Sequence, residues 1–210
     1  MNVAIILAAG ESRRMGEPKQ LLPFAGKTML ECVIDAFTTP MVGEILVVLG
    51  HNAEEIAAKL RVGEAPVEPQ GATARREARP PKLRIVTNAG WKAGMVTSVQ
   101  AGLRALPAGT RLVLLALADQ PRLQNATVKT LMGQFRRGIL VPSYNGRQGH
   151  PLLFAVEYVP EILALDKSLT LKHFLANHPD ELTRLIVEDV GVLVDIDDRA
   201  SYERELRRHT

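Results

Sequence analysis

Residues 3–28 read Val-Ala-Ile-Ile-Leu-Ala-Ala-Gly-Glu-Ser-Arg-Arg-Met-Gly-Glu-Pro-Lys-Gln-Leu-Leu-Pro-Phe-Ala-Gly-Lys-Thr. The run over 3–9 is apolar and short, which suits a strand buried on both faces, as in a parallel sheet. Gly10 ends it. The polar, basic loop that follows holds Arg13, Arg14, Gly16 and Lys19, and Pro18 and Pro23 exclude a regular helix through it. A strand that breaks into such a loop can grip a polyphosphate. Backbone N–H groups cradle oxygens, arginine binds them bidentately, and lysine supplies a point charge. The bland alternative is a solvated basic loop after a core strand.

Two familiar phosphate loops are missing: neither G-x-x-x-x-G-K-S/T nor G-x-G-x-x-G follows the first strand. The stretch resembles instead the signature of nucleotidyltransferases that activate sugars and cofactors, L-x-G-G or L-A-A-G, then x-S-x-R-M-G, then x-x-K. Leu7-Ala8-Ala9-Gly10, Ser12, Arg14-Met15-Gly16, Pro18-Lys19 and Leu21-Leu22-Pro23 fit that pattern, while Arg13 falls on a variable position.

The 210 residues are expected to form one domain, 1–210, with room for a large core. A net charge of +3, with both signs intermixed, is too mild to indicate a nucleic-acid partner, and 4% aromatics give no stacking platform for single strands. Cys32 is the single cysteine and reads as a small buried hydrophobe, so no disulfide framework is expected. The first apolar run has no basic leader and is too short to span a bilayer. The expectation is a cytoplasmic protein with no membrane partner.

Outward from the loop, Thr28 is placed to cap a helix over 29–38, with Glu31 at capping-box distance. Further strands are expected over 45–49, 83–87, 111–118, 139–142, 185–187 and 192–194. Helices are expected over 53–60, from 95–98 onward, over 125–135, in two pieces within 157–177, and over 199–207. Residues 62–82, rich in proline and arginine and without periodicity, read as a long exposed loop. Asn145-Gly146 marks a tight hairpin. Strands and helices alternate, which predicts a mostly parallel sheet with helices on both faces.

The strand over 111–118 is the most apolar and so is expected to be central; it ends in Asp119-Gln120-Pro121. A carboxylate there is costly to desolvate without a partner, and Mg²⁺ is a natural one because it joins substrate phosphates to one or two aspartates. A loop or cap aspartate is the alternative. His51, after the second strand, stands where ligands collect in open α/β sheets, though a polar loop residue without a role is the simpler reading. Ser98 lies where a helix starts after Gly90 and Gly94, and by its own residue type reads as a helix-start cap.

The resemblance spans nearly the whole chain and adds roles to these positions. It extends to N-x-x-W/Y-x-x-G-M-x-x-S over 88–98, to x-x-D-x-P around Asp119, and to Gly149-His150-Pro151. With the Leu-Ala-Ala-Gly loop, these segments are similar to the molybdenum cofactor cytidylyltransferase and molybdopterin-guanine dinucleotide synthase-like family. The resemblance implies a three-layer α/β/α Rossmann-like nucleotidyltransferase fold. It implies transfer of CMP from CTP, or of another nucleotide, to molybdopterin with release of pyrophosphate, Mg²⁺ or Mn²⁺ as cofactor, and a molybdenum hydroxylase as client. Leu7, Ala8, Ala9, Gly10, Arg14, Lys19 and Ser98 would face the nucleotide. Arg14, Lys19 and Asp119 would be catalytic, Asp119 and Asp197 would hold the metal, and Gly149 and His150 would face the second substrate, on an antiparallel addition near the carboxyl edge.

Two segments depart from the family pattern. Gly-Asp-x-Gly-Ala-Arg is replaced by Leu165-Asp166-Lys167-Ser168-Leu169-Thr170-Leu171-Lys172, where Lys172 lacks the bidentate geometry of arginine. D-I-D-T-P-x-D is met by Asp195-Ile196-Asp197-Asp198-Arg199, where Asp197 or Asp198 is alternatively a helix cap. A transferase using a sugar or alcohol phosphate acceptor, and a non-catalytic accessory protein that binds cofactor, therefore stay open.

Overall fold

The structure, a computed structural model, describes residues 1–63 and 80–208. Most of the basic stretch 62–82, namely 64–79, lies outside the described residues. In chain order come β1 (Asn2–Ala8), a small hairpin of β2 (Pro23–Phe24) and β3 (Lys27–Thr28), α1 (Met29–Phe37), β4 (Glu44–Leu49) and α2 (Ala53–Gly63). Then follow β5 (Lys82–Thr87), α3 (Met95–Arg104), β6 (Leu112–Leu117), α4 (Asn125–Gln134), β7 (Ile139–Tyr144) and β8 (Arg147–Gln148). The chain continues with β9 (Leu152–Ala155), α5 (Val159–Ala164), α6 (Leu171–Asn177), β10 (Leu182–Ile186) and α7 (Arg199–Arg207).

The sheet order is β10-β7-β9-β6-β1-β4-β5, with β8 paired to β7. β1 lies between β6 and β4, parallel to both, and β9 is antiparallel to each of its neighbours. Alternate residues of β1 divide between two cores, as the period of two requires. Ala4, Ile6 and Ala8 face Leu30 and Phe37 of α1, Ile56 of α2 and Leu131 of α4. Val3, Ile5 and Leu7 face Val99 and Leu103 of α3, Ile162 of α5 and Phe174 of α6. The result is a three-layer α/β/α arrangement. Ile5 and Ile6 are both fully buried, each contributing about 1.5–3 kcal/mol by that burial.

Local signals explain most elements. Thr28 and Glu31 form the capping box at the start of α1. Asn145 and Gly146 both take positive φ, 49° and 76°, and turn β7 into β8. Of the strand expected over 192–194, Val192 and Leu193 instead belong to a 3₁₀ turn, Val190–Leu193. Asp189 is the reason: its carboxylate accepts from the Gly191 N–H at 2.8 Å, from the Thr127 hydroxyl at 2.8 Å and from the Gln124 N–H at 3.0 Å. That curls the segment before a strand can form. The antiparallel strand after Gly149-His150-Pro151 is present, but it sits inside the sheet, between β6 and β7.

A third, smaller core holds the site together. Met15 and Leu22 from the basic loop, Phe24, and Met29 of α1 pack with Ile196 and with Tyr202 of α7, whose hydroxyl donates to the Pro23 carbonyl at 2.5 Å. Arg122 also reaches α7, donating to the buried Glu205 at 2.7 Å. Burial opposes ionisation of Glu205, but Arg122, with Arg208 and Arg204, outweighs it and holds the carboxyl below its ordinary value of 4.5. A depressed folded pKa stabilises above the unfolded value and is lost as pH falls through the folded one. Glu205→Gln is therefore expected to lower stability at neutral pH and to flatten its loss in acid below pH 4.5. Urea midpoints measured across that range check this.

Candidate active site

The basic loop leaves β1 through Ala9 and Gly10 and is tied back on itself by its own polar groups. Ser12 adopts φ 55° and Gly16 φ 75°. The Ser12 hydroxyl accepts from the Lys19 N–H at 3.2 Å and donates to Gln20 Oε1 at 3.3 Å. Gln20, only 2% exposed, donates from Nε2 to the Ala8 carbonyl at 2.9 Å and to the Gly10 carbonyl at 3.3 Å. Gln20→Ala would leave the buried Ala8 carbonyl without this donor, at a cost of about 1–3 kcal/mol. It should also weaken nucleotide affinity by loosening the loop. Denaturant titration and nucleotide binding measure the two effects.

Leu7, Ala8, Ala9, Gly10, Lys19 and Ser98 all line one cavity of about 260 Å³, and Asp119 closes part of its wall. Trp91 and Met95 complete the lining on the α3 side. Trp91 comes this close because residue 50 is glycine: a Cβ there would lie 2.7 Å from the Ala9 carbonyl oxygen and 2.7 Å from Trp91. His51 packs edge-on against Trp91, ring centres 5.2 Å apart, and its N–H donates to the Ala9 carbonyl at 3.2 Å. Ser98 is not a helix cap. The N-cap of α3 is Gly94, which brings no side-chain cap, and Ser98 Oγ accepts from Asn88 Nδ2 at 3.0 Å, which leaves its own O–H to donate.

The charged residues converge on Lys19. Its ammonium lies 2.9 Å from Asp119 Oδ2 and 2.9 Å from Asp197 Oδ1, and it donates to the Ile196 carbonyl at 3.0 Å. Arg14 pairs with the other Asp197 oxygen at 3.1 Å. Burial works against the Lys19 charge, but Asp119 and Asp197 outweigh it and raise its pKa above 10.5. The Lys19 hydrogen bond, with the charges of Lys19 and Arg14, holds the Asp197 carboxyl below the usual carboxylate range. Asp198, not Asp197, caps α7, accepting from the Ser201 N–H at 2.8 Å. The segment is pinned to the end of β6 by the Ile196 N–H, which donates to the Asp119 carbonyl at 2.9 Å.

Gly149 and His150 lie outside the lining of that cavity. The close approach of Gly149 to the Val192 backbone explains the glycine on steric grounds: a Cβ would lie 2.2 Å from the Val192 oxygen. The His150 N–H donates to that oxygen at 3.0 Å, and its ring is buried with Nδ1 unpartnered. Burial lowers the His150 pKa, against the pull of the Leu115 carbonyl and the charges of Asp195 and Asp119. Asp195, held by Gln120 at 2.8 Å, has its carboxyl raised by burial and by the neighbouring Asp119 and Asp197. Away from the cluster, Arg13 is exposed and paired with Glu11, and Asp166 turns onto Ser168. Among the residues not singled out from sequence, Gln20, Gln120 and Asp195 hold the loop and the Asp119 segment in place.

A divalent ion suits the donor set on chemical grounds. Asp119 and Asp197 present hard carboxylate oxygens to one point, and Asp119 Oδ1 is buried without a hydrogen-bond partner. Among the described residues no group of three or more His, Cys, Asp or Glu side chains is placed to hold a metal, so substrate oxygens and water would have to complete the shell. Among the same residues, no helix is long and apolar enough to cross a membrane.

The mostly parallel α/β/α sheet is that of the Rossmann-like nucleotidyltransferase fold, and the cavity, beside a lysine bridging two aspartates, lies at the carboxyl end of its first strand. The chain belongs to the MobA-like NTP transferase domain family, which matches residues 4–182. It is 35% identical over 170 residues to the nicotine blue oxidoreductase of Paenarthrobacter nicotinovorans, covering 75% of this chain and 72% of that one. It is 24% identical over 206 residues to the molybdenum cofactor cytidylyltransferase of Escherichia coli (strain K12), covering 98% and 96%. The structure of a nucleotidyl transferase from Methanothermobacter thermautotroptrophicus superposes with a TM-score of 0.78 at 25% identity, covering 100% of this chain and 97% of that one.

Proposed function

We propose that the chain transfers CMP from CTP to the terminal phosphate of molybdopterin, giving a cytosine dinucleotide cofactor and pyrophosphate. The observation that supports nucleotidyl transfer most directly is Lys19 held between Asp119 and Asp197 beside the cavity lined by residues 7–10. Leu-Ala-Ala-Gly at 7–10 and the near full-length match to the Escherichia coli cytidylyltransferase support the choice of CTP and acceptor.

The main chain at Ala8, Ala9 and Gly10 would lie against the nucleotide, and the Ser98 hydroxyl would donate to it. An oxygen of the acceptor phosphate attacks the α-phosphorus, and the bond from that phosphorus to the pyrophosphate oxygen breaks. Little covalent help is needed from the protein; alignment and charge neutralisation do most of the catalysis. Lys19 and Arg14 would neutralise the triphosphate and the departing pyrophosphate. Mg²⁺ (or Mn²⁺), held by Asp119 and Asp197, would supply further neutralisation of the phosphate oxygens when bound.

A second reading is favoured by one observation: the relative at 35% identity is named an oxidoreductase. Under it, the same cavity would take a redox cofactor or substrate, a nicotinamide dinucleotide being the one to try first. The missing glycine fingerprint weighs against this. The test is pyrophosphate release with Mg²⁺ and molybdopterin, comparing CTP, GTP, ATP and UTP, beside oxidation of NADH or NADPH with a planar dye as acceptor. Release with CTP alone is the expected result. Release with GTP instead would keep the mechanism and overturn the base. No release with any of the four, but dye-dependent NAD(P)H oxidation, would move the chain to the second reading.

A further inference from the structure

The two carboxylates suited to a metal ion are already engaged by the protein's own cations. Asp119 Oδ2 is taken by Lys19 at 2.9 Å, and Asp119 Oδ1 is buried. Asp197 Oδ1 is taken by the same Lys19 at 2.9 Å, and Asp197 Oδ2 by Arg14 at 3.1 Å. Every oxygen of the pair is either bonded to a cation or covered. Two cations thus engage three of the four oxygens of the pair without any ligand, and Asp119 Oδ1 is left buried and unpartnered. A divalent cation placed between these carboxylates would meet the Lys19 ammonium at hydrogen-bond range, and that repulsion is large in a partly buried site.

Lys19 and Arg14 are also the cations that face a triphosphate under the nucleotidyl-transfer reading, on which the next step rests. We propose that Lys19 and Arg14 are resident counter-ions of the Asp119–Asp197 pair, and that the triphosphate must draw them off before these carboxylates take a divalent cation. The exchange is balanced in charge. The cations move from carboxylate to phosphate oxygens, and the freed carboxylates then require a new cation. Lys19 is placed to make the move: its backbone stays fixed through the Ser12 hydroxyl, while its side chain reaches both aspartates from one point. The nucleotide site and the metal site are thereby coupled through a single side chain.

The test is Mn²⁺ binding to the purified full chain without nucleotide, followed by calorimetry and by the electron spin resonance signal of free Mn²⁺. Lys19→Met is expected to bind Mn²⁺ at least about tenfold tighter than the unmodified protein, because the competing ammonium is gone. Adding Asp119→Asn to Lys19→Met should abolish the gain. Lys19→Gln, which keeps a hydrogen-bond donor, serves if the methionine variant does not fold, with the same expectation. A Lys19 variant that binds Mn²⁺ no tighter than the unmodified protein overturns the proposal, because a lysine that merely latches residues 195–198 would predict unchanged or weaker binding. In a second arm, with EDTA present, Asp119→Asn should bind CTP tighter, since it loosens the hold on Lys19; weaker binding there counts against the exchange. Neither arm measures turnover, so a failure here is distinct from failure to release pyrophosphate.

Discussion

Asp119→Asn is expected to lower nucleotidyl transfer by at least about a hundredfold while the protein stays folded. Asp119 lies two residues beyond the central strand β6, and its carboxylate is one of the two that the Lys19 ammonium joins. Asparagine has nearly the same shape and still offers an oxygen to Lys19, which keeps its bonds to Asp197 and to the Ile196 carbonyl. The tie that pins the 195–198 segment to β6 runs from the Ile196 N–H to the backbone oxygen of residue 119, so the substitution does not touch it. What is lost is a negative charge at the point where phosphate charge has to be balanced. Pyrophosphate release with CTP, read beside a thermal melt, separates the two effects. A cooperative melt with near-normal release would remove Asp119 from the chemistry.

Which parts of this arrangement can be read from the sequence follows from the range of the forces involved. The first strand and its loop are legible because an unbroken apolar run ending at Gly10 has few alternatives, and the loop's cations stand in a spacing that resembles a known pattern. Asp119 is legible because a carboxylate directly after the most apolar strand needs a partner. Gln20 is not: between Lys19 and Leu21 it looks like a surface residue, and only the folded loop shows its amide satisfying the Ala8 carbonyl. The same holds for Asp195, whose neighbours Gln120 and His150 come from two other segments of the chain. Val192-Leu193-Val194 has the composition of a strand, but the Asp189 carboxylate recruits four donors around it and the segment curls. Apolar pattern reports burial, whereas the choice between strand and turn was made here by one buried acid.

The pairing of Lys19 with both aspartates was also out of reach of local pattern. The sequence places one cation and two acids in separate motifs, and composition does not say which charges meet. Folding brings the 195–198 segment to the loop through the small core of Met15, Phe24, Ile196 and Tyr202. Packing of apolar side chains therefore sets the electrostatics of the site, because it is Ile196, fully buried, that fixes Asp197 on one side of the chain and Asp195 on the other.

Gly149→Ala should damage both stability and activity through that same segment. An added Cβ would lie 2.2 Å from the Val192 oxygen, 2.8 Å from its carbonyl carbon and 3.0 Å from its Cβ. No flexible side-chain end is there to give way; the obstacle is the main chain. Both chains are also held: the Gly149 N–H donates to the Pro142 carbonyl at 2.9 Å and the His150 N–H to Val192 at 3.0 Å. Overpacking of this kind costs about 1–3 kcal/mol, and the upper end is expected because neither partner is free to shift. What moves first is the 190–193 turn, and that turn leads directly into Asp195, Ile196 and Asp197. Displacement would draw Asp197 away from Lys19 and Arg14, so transfer should fall further than the stability loss alone explains. Gly133→Ala on α4 is the control, since a Cβ there meets nothing within 4 Å and helix propensity favours alanine by about 0.5–1 kcal/mol. Melting midpoints and pyrophosphate release for both variants decide the matter. If Gly149→Ala melts and turns over like Gly133→Ala, the contact with Val192 is looser than its geometry, and the 190–193 turn does not position the aspartates.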